Sequence, residues 1–215
     1  MKDQINKLRT QYQGELLDEK NVLPDPVEQF KTWFKEAIAG CVLEPNAMTL
    51  ATASKEGVPS VRIVLLKDFD IKGFTFYTNY NSQKGKEINE NPNAAILFFW
   101  PQLHRQIRIE GVIEQIDPMI SEKYFFERPV ESQISAWISP QSSVIDNKIT
   151  LETRYKDYQA VCIDKQIPYP PFWGGYCLKP NKYEFWQGQP NRLHDRVKYI
   201  FDAENNKWAI NRIAP

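Results

Sequence analysis

Residues 183–196 read YEFWQGQPNRLHDR and carry two arginines and a histidine at alternate positions. Gly188 and Pro190 mark a tight connection over residues 187–191, so a second strand is expected to begin at Arg192. Alternation along that strand puts Arg192, His194 and Arg196 on one face and Leu193, Asp195 and Val197 on the other. Two guanidiniums flanking an imidazole suit an anionic, hydrogen-bonding ligand, with Trp186 as a flat wall beside it. A solvated cationic strand face has the same spacing.

The pairing of a cation with hydrogen-bond donors recurs elsewhere. Arg62 and Lys67 bracket the apolar run of SVRIVLLK, residues 60–67. Five positions apart, they are expected on opposite faces of a central strand unless a bulge intervenes, one cation for each of two sites, or simply at the wet ends of a buried strand. Ser82-Gln83-Lys84 precedes a helix that Ser82 can cap. A cation in a first helical turn opposes the helix dipole, and makes sense if an anion binds there too. Tyr124, Arg128 and Ser132 are spaced by four, which would align them on a continuous helix, though Pro129 weighs against that continuity. A corner there keeps phenol, guanidinium and hydroxyl together, a set suited to phosphate.

Other chemistries are poorly supplied. The sequence has no glycine-rich nucleotide loop, no nucleophile elbow and no zinc spacing, and its only histidines are His104 and His194. Lys plus Arg equals Asp plus Glu, 27 each, which disfavours a broad nucleic-acid surface but leaves room for a local basic pocket. Cys41, Cys162 and Cys177 are odd in number and suit free thiols in a reducing compartment. The polar start lacks the apolar stretch of a signal peptide, and the most apolar run, residues 94–100, is too short for a bilayer. A cytoplasmic protein without membrane contact is expected. Redox chemistry with neither metal nor reactive cysteine would need an organic cofactor.

The elements that must position these groups are mostly strands. Residues 48–53, 60–67, 74–78, 94–100, 106–116, 174–178, 183–187, 192–201 and 208–213 read as strands with close turns, so an antiparallel, mainly β (α+β) architecture is expected. Asp25-Pro26-Val27-Glu28 opens a helix with a capping-box pattern, its stripe being Val27, Phe30, Phe34, Ala37 and Ile38. Further helices are expected after Ser82, after Asp117-Pro118 and over residues 148–163. Residues 1–20 are polar and weakly helical, a mobile N-terminal segment; residues 21–215 read as one domain with helical insertions.

RIVLLK (62–67), FYTN (76–79), RQIRIEG (105–111), YFFERP (124–129), SQISAW (132–137), PFWGGY (171–176), EFWQG (184–188), RLHDR (192–196) and the closing NRIAP together resemble the pyridoxine/pyridoxamine 5′-phosphate oxidase family over nearly the whole chain. The resemblance implies a homodimeric, FMN-binding split barrel flanked by helices, with flavin at the subunit interface. It implies oxidation of pyridoxamine or pyridoxine 5′-phosphate to pyridoxal 5′-phosphate, with O2 reduced to H2O2. By position, it assigns Arg62, Ile63, Val64, Leu65, Leu66, Lys67, Tyr77, Thr78, Gln83, Lys84, Gln106, Gln141, Ser142, Trp186 and Arg196 to FMN. Lys67, Tyr124, Arg128 and Ser132 fall to the substrate phosphate; Arg192, Leu193 and His194 to the pyridine ring, Arg192 and His194 being the catalytic pair. Arg9 and Tyr12, surface residues by spacing alone, match positions on an N-terminal segment that closes over the substrate. Two positions depart from the family pattern: Gln83 and Val130 stand where arginines are frequent.

Overall fold

The structure, a computed structural model, describes residues 1–8, 11–162 and 165–215. Arg9 and Ile163, both used in the sequence reading, lie outside the described residues. Nine antiparallel-type strands and six α-helices alternate along the described chain, in the order α1 (Lys2–Lys7), α2 (Pro26–Ala39), β1 (Ala47–Ala53), β2 (Pro59–Leu65), β3 (Asp68–Asp70), β4 (Gly73–Asn79), α3 (Gln83–Glu90), β5 (Asn93–Trp100), β6 (Arg105–Gln115), α4 (Pro118–Glu127), α5 (Val130–Ile138), α6 (Lys148–Val161), β7 (Trp173–Gln187), β8 (Asp195–Asp202) and β9 (Lys207–Arg212). The strand order is β2-β1-β5-β6-β7-β4-β3, with β8 on β7 and β9 on β8. The chain groups into two compact units, one of residues 1–50, 95–111 and 180–215, the other of residues 51–94 and 112–179.

The first unit is built on α2 and the β8–β9 hairpin. Asp25 caps α2 by accepting the Val27 N–H at 2.8 Å, while Glu28 pairs with Lys31. Val27, Phe30, Trp33 and Ala37 are buried, whereas Ile38 is 56% exposed, because one further residue turns it about 100° off the stripe. Phe30 meets Phe98 at 5.0 Å, Trp33 meets Phe185 edge-on at 5.3 Å, and Phe185 meets Tyr199 at 5.5 Å. These rings form the core that holds the C-terminal half of β7.

The second unit holds β2, β3, β4 and helices α3 to α6. β4 pairs with the first half of β7, from Phe74 opposite Leu178 to Asn79 opposite Trp173. Phe125, Ile134, Ile167 and Trp173 form a core that fixes the α4–α5 corner. Ser82 caps α3 through the Gly85 N–H, and Asp117 caps α4 through the Met119 N–H, as their sequences indicated.

Four expectations need correction. β7 is one strand through Lys179-Pro180-Asn181, not two; its middle is wetter, and proline is tolerated where no ladder donor is needed. β2 ends at Leu65 and lies at the edge of the order rather than its centre, so Val61 and Ile63 stay more than half exposed. The alternation that separated Arg62 from Lys67 therefore stops before Lys67. β8 begins at Asp195, not Arg192: residues 190–192 form a 3-10 turn in which Asn191 and Arg192 have φ of 57° and 62°. Arg192 and His194 thus precede the strand, and strand alternation does not apply to them.

Candidate active site

A cleft of about 740 Å³ opens within the second unit. It gathers Arg62, Ile63, Val64, Leu65, Lys67, Tyr77, Thr78, Lys84, Tyr124, Arg128, Ser132, Gln141 and Ser142, thirteen residues marked out beforehand in the sequence. Four of its lining residues are cations; among the described residues no carboxylate lines it. Arg62 and Lys67 share the cleft despite the faces assigned to them, since the strand between them has already ended. Leu66 is buried outside the lining. Gln83 faces a neighbouring cavity of about 320 Å³ that shares Gln141 and Ser142 with the cleft.

One end of the cleft is built by α3 and β4. Lys84 is only 8% exposed, and its ammonium donates to Thr78 Oγ1 at 3.2 Å, Gln141 Oε1 at 3.2 Å and Ser82 Oγ at 3.4 Å. All three partners are neutral. Burial, then the nearby Arg62 guanidinium, pushes the Lys84 pKa down to about 8, with Glu87 opposing. Arg62 is held by Glu87 at 3.1 Å and by the Thr52 and Ser60 hydroxyls. Burial disfavours the Glu87 anion, but hydrogen bonds from Ser60, Thr52, Gln83 and Arg62 outweigh it and hold the carboxyl at about 2.

The other end is the α4–α5 corner. Pro129 breaks the helix, leaving Arg128 extended as the C-cap of α4. The Arg128 guanidinium lies 4.6 Å from the Trp173 ring centroid. Tyr77 stacks on Tyr124 at 4.0 Å and on Trp173 at 5.4 Å, a layered aromatic wall. Burial, with Tyr124 next, pushes the Tyr77 phenol up to about 12, so it stays neutral. Arg128 Nη1 is buried without a hydrogen-bond partner among the described residues, and burial lowers the pKa of its guanidinium. A buried donor on a cation with no protein partner is free to pair with an anion in the cleft. The donor sets at both ends therefore fit two phosphorylated ligands, FMN among them.

The remaining marked residues lie in the first unit. Tyr12 stands edge-on to His104 at 5.0 Å, to Trp186 at 5.5 Å and to His194 at 5.5 Å. A Cβ on Gly188 would sit 2.7 Å from the Tyr12 ring, so glycine permits this contact. The Gln189 N–H donates to His194 Nδ1 at 3.1 Å, which puts the proton of a neutral His194 on Nε2. Leu193 is exposed. Arg196 is opposite Trp186 in the β7–β8 ladder and is tied to Glu184 at 2.7 Å and the Ala214 carbonyl at 2.7 Å. Gln106 is half-buried on β6.

Several residues escaped the sequence reading. Trp173 was visible only as part of PFWGGY, and Glu87 as one acidic residue in a polar helix. Asp195 was assigned only to the strand's far face. It accepts from Leu17 N at 3.2 Å, Gln189 Nε2 at 2.8 Å and Arg212 Nη1 at 2.7 Å, binding residues 12–19 to β8 and β9. Its partners come from three separate stretches, which no local spacing relates.

The antiparallel sheet and this pair of cationic cleft ends define a class of fold and site suited to phosphorylated ligands. A family model described as pyridoxamine 5′-phosphate oxidase matches residues 34–162, and one described as the pyridoxine 5′-phosphate oxidase C-terminal dimerisation region matches residues 173–215. A pyridoxine/pyridoxamine 5′-phosphate oxidase of a Cyanothece species is 48% identical over 98% of both chains, and one of Burkholderia thailandensis is 51% identical over 97% of both. The chain belongs to the pyridoxamine 5′-phosphate oxidase family, a family of oxidoreductases. Among solved structures, PhzG from Burkholderia lata, in complex with tetrahydrophenazine-1-carboxylic acid, superposes with a TM-score of 0.88 at 29% identity, covering 94% of this chain and 99% of that one. A pyridoxamine 5′-phosphate oxidase-related, FMN-binding protein from Nostoc punctiforme shares the fold at a TM-score of 0.69 and 18% identity, over 86% of this chain and 97% of that one. The split barrel with flanking helices expected from the sequence is the fold of this group. No described helix is long and apolar enough to cross a membrane.

Proposed function

We propose that this chain oxidises pyridoxamine 5′-phosphate, pyridoxine 5′-phosphate or both to pyridoxal 5′-phosphate, as a cytoplasmic homodimer of vitamin B6 metabolism with FMN at the subunit interface. Residues 21–215 act as one catalytic domain in this reading. Bound FMN would accept a hydride from the substrate C4′ carbon and pass the electrons to O2, giving H2O2. The protein's contribution is placement and charge. Arg128 and Lys67, with the Tyr124 and Ser132 hydroxyls, grip the substrate phosphate. Arg62 and Lys84, with Thr78, Gln141 and Ser142, take the phosphate end of FMN, and the apolar edge of β2 and Tyr77 line its ring. Trp186, Arg196 and Gln106 complete the cofactor contacts across the assembled dimer. Arg192 covers the pyridine ring, Leu193 flanks it, and His194 donates from Nε2 to orient substrate or water. Arg9 and Tyr12 bring the N-terminal segment over the substrate. The exposed Val61 and Ile63 supply an apolar face for a second copy to cover.

The observation that carries the reading is the buried, unpartnered Nη1 of Arg128 in a cleft that holds four cations. The test is to load the purified protein with FMN and add pyridoxamine 5′-phosphate without oxygen. Bleaching of the flavin absorbance, then H2O2 and pyridoxal 5′-phosphate on admitting air, is expected. A flavin that binds but never bleaches would mean a carrier without catalysis. The PhzG likeness favours a second reading, in which an aromatic carboxylate occupies the Arg128 end. Bleaching by a tetrahydrophenazine carboxylate and not by either phosphorylated vitamer would select it.

A further inference from the structure

We infer that Glu87 is a positioning residue for phosphate at the Lys84 end of the cleft, acting through Arg62 from outside the cleft lining. The inference rests on the proposed function, which puts the FMN phosphate at that end.

Glu87 lies one helical turn beyond Gln83 on α3 and is 7% exposed. It does not line the cleft. Its Oε2 accepts from Thr52 Oγ1 at 2.5 Å, Ser60 Oγ at 2.6 Å and Arg62 Nη2 at 3.1 Å; its Oε1 accepts from Gln83 Nε2 at 2.9 Å. The same two hydroxyl oxygens accept from Arg62 Nη1 and Nη2. Each hydroxyl thus receives from the guanidinium and gives to the carboxylate, which uses its one proton and one of its lone pairs. The circuit leaves little freedom to the arginine. An arginine otherwise loses rotamer freedom when a ligand immobilises it, and here that loss falls in folding instead of binding.

The carboxylate has a second, opposing effect: its charge repels an incoming anion. Ordering and repulsion can be separated by two substitutions. Glu87→Ala removes both charge and anchor. Glu87→Gln keeps an acceptor oxygen at the same reach and removes the charge. Riboflavin, which lacks the phosphate, reports whatever the substitutions do to the ring site.

The experiment titrates the full-length protein, freed of flavin, with FMN and with riboflavin, following quenching of flavin fluorescence. Glu87→Ala is expected to bind FMN about two- to tenfold more weakly than Glu87→Gln, the range for ordering one long side chain once both variants have lost the charge. Glu87→Gln is expected to bind FMN at least as tightly as the unaltered chain, and riboflavin affinity to stay the same in all three. FMN binding by Glu87→Ala as tight as by Glu87→Gln would overturn the inference, as would parallel loss of FMN and riboflavin. An unaltered chain that takes up no FMN would refute the proposed function itself.

Discussion

Lys84 gives the proposed FMN site a pH dependence of predictable sign and size. Burial and the Arg62 charge bring its pKa down to about 8. If only the ammonium form holds the cofactor phosphate, affinity follows the protonated fraction of the free protein. That fraction is about ten-elevenths one unit below a pKa and about one-eleventh one unit above it, so FMN binding should weaken about tenfold between pH 7 and pH 9. The phosphate's own second ionisation, near pH 6, is already about ten-elevenths complete at pH 7 and changes the slope little. Tyr77, pushed up to about 12, and Glu87, held at about 2, do not change charge there either. Stability of the flavin-free protein should move the other way. The folded Lys84 releases its proton near pH 8 and the unfolded one only near pH 10.4, so the unfolded chain binds more protons in between and this group's contribution to stability rises with pH. Fluorescence titrations with FMN at half-unit steps from pH 6.5 to 9.5 give the slope. Lys84→Met should bind weakly at pH 7 and show no slope. A flat wild-type profile, or an equal slope in Lys84→Met, would refute the assignment of Lys84 to the phosphate.

Replacing Arg128 by lysine keeps the charge but loses the fork of donors; losing one charge-assisted hydrogen bond at about 1.5 kcal/mol should raise KM for the phosphorylated substrate about tenfold and leave the FMN dissociation constant alone. Steady-state kinetics in air decide this, and an unchanged KM counts against the phosphate role. Arg192→Ala should depress kcat far more than FMN affinity; equal losses in both would reject its place over the pyridine ring. Gln83→Arg adds a guanidinium where an amide now donates to Glu87 at 2.9 Å. Because Glu87 takes up part of that charge, FMN affinity should rise by less than about 2 kcal/mol, and a dissociation constant that does not move would dismiss the idea. Asp195→Ala leaves the Leu17 N–H without its partner and removes one of the Arg212 ion pairs. Urea unfolding should show a loss of about 1–3 kcal/mol, and limited proteolysis faster cleavage within residues 12–19; wild-type values in both would rule out Asp195 as the tie.

Local chemistry made the helix starts legible. Asp25-Pro26, Ser82 and Asp117-Pro118 each specify a cap within three residues, and all three form. The corner proposed to hold the substrate phosphate was legible for the same reason. Pro129 ends α4 between Arg128 and Ser132, and both residues line one cleft. Strand ends were harder to read, because hydrogen-bonded neighbours, not side-chain pattern, decide them. The apolar run through Ile63 and Leu65 looked like a buried centre, yet β2 is an edge strand and Ile63 stays 63% exposed; in the proposed function the flavin ring and a second copy would cover the run. RLHDR failed as a strand for a different reason. The left-handed backbone at Asn191 and Arg192 turns the chain, and neither residue is the glycine that would have advertised it.

The Glu87 circuit shows the limit of reading by spacing. Thr52, Ser60, Arg62 and Glu87 come from β1, β2 and α3, and each taken alone is an ordinary polar residue on an ordinary element. Only their convergence makes a device. It also changes what Gln83 means. By resemblance, Gln83 is a missing cation beside the cofactor phosphate. In the structure its amide is one of four donors that keep Glu87 ionised and Arg62 in place. An arginine there would add charge but would also compete with Arg62 for the same carboxylate. The departure from the family pattern therefore exchanges one cation for the better ordering of another, and its effect on affinity should be smaller than a count of charges suggests.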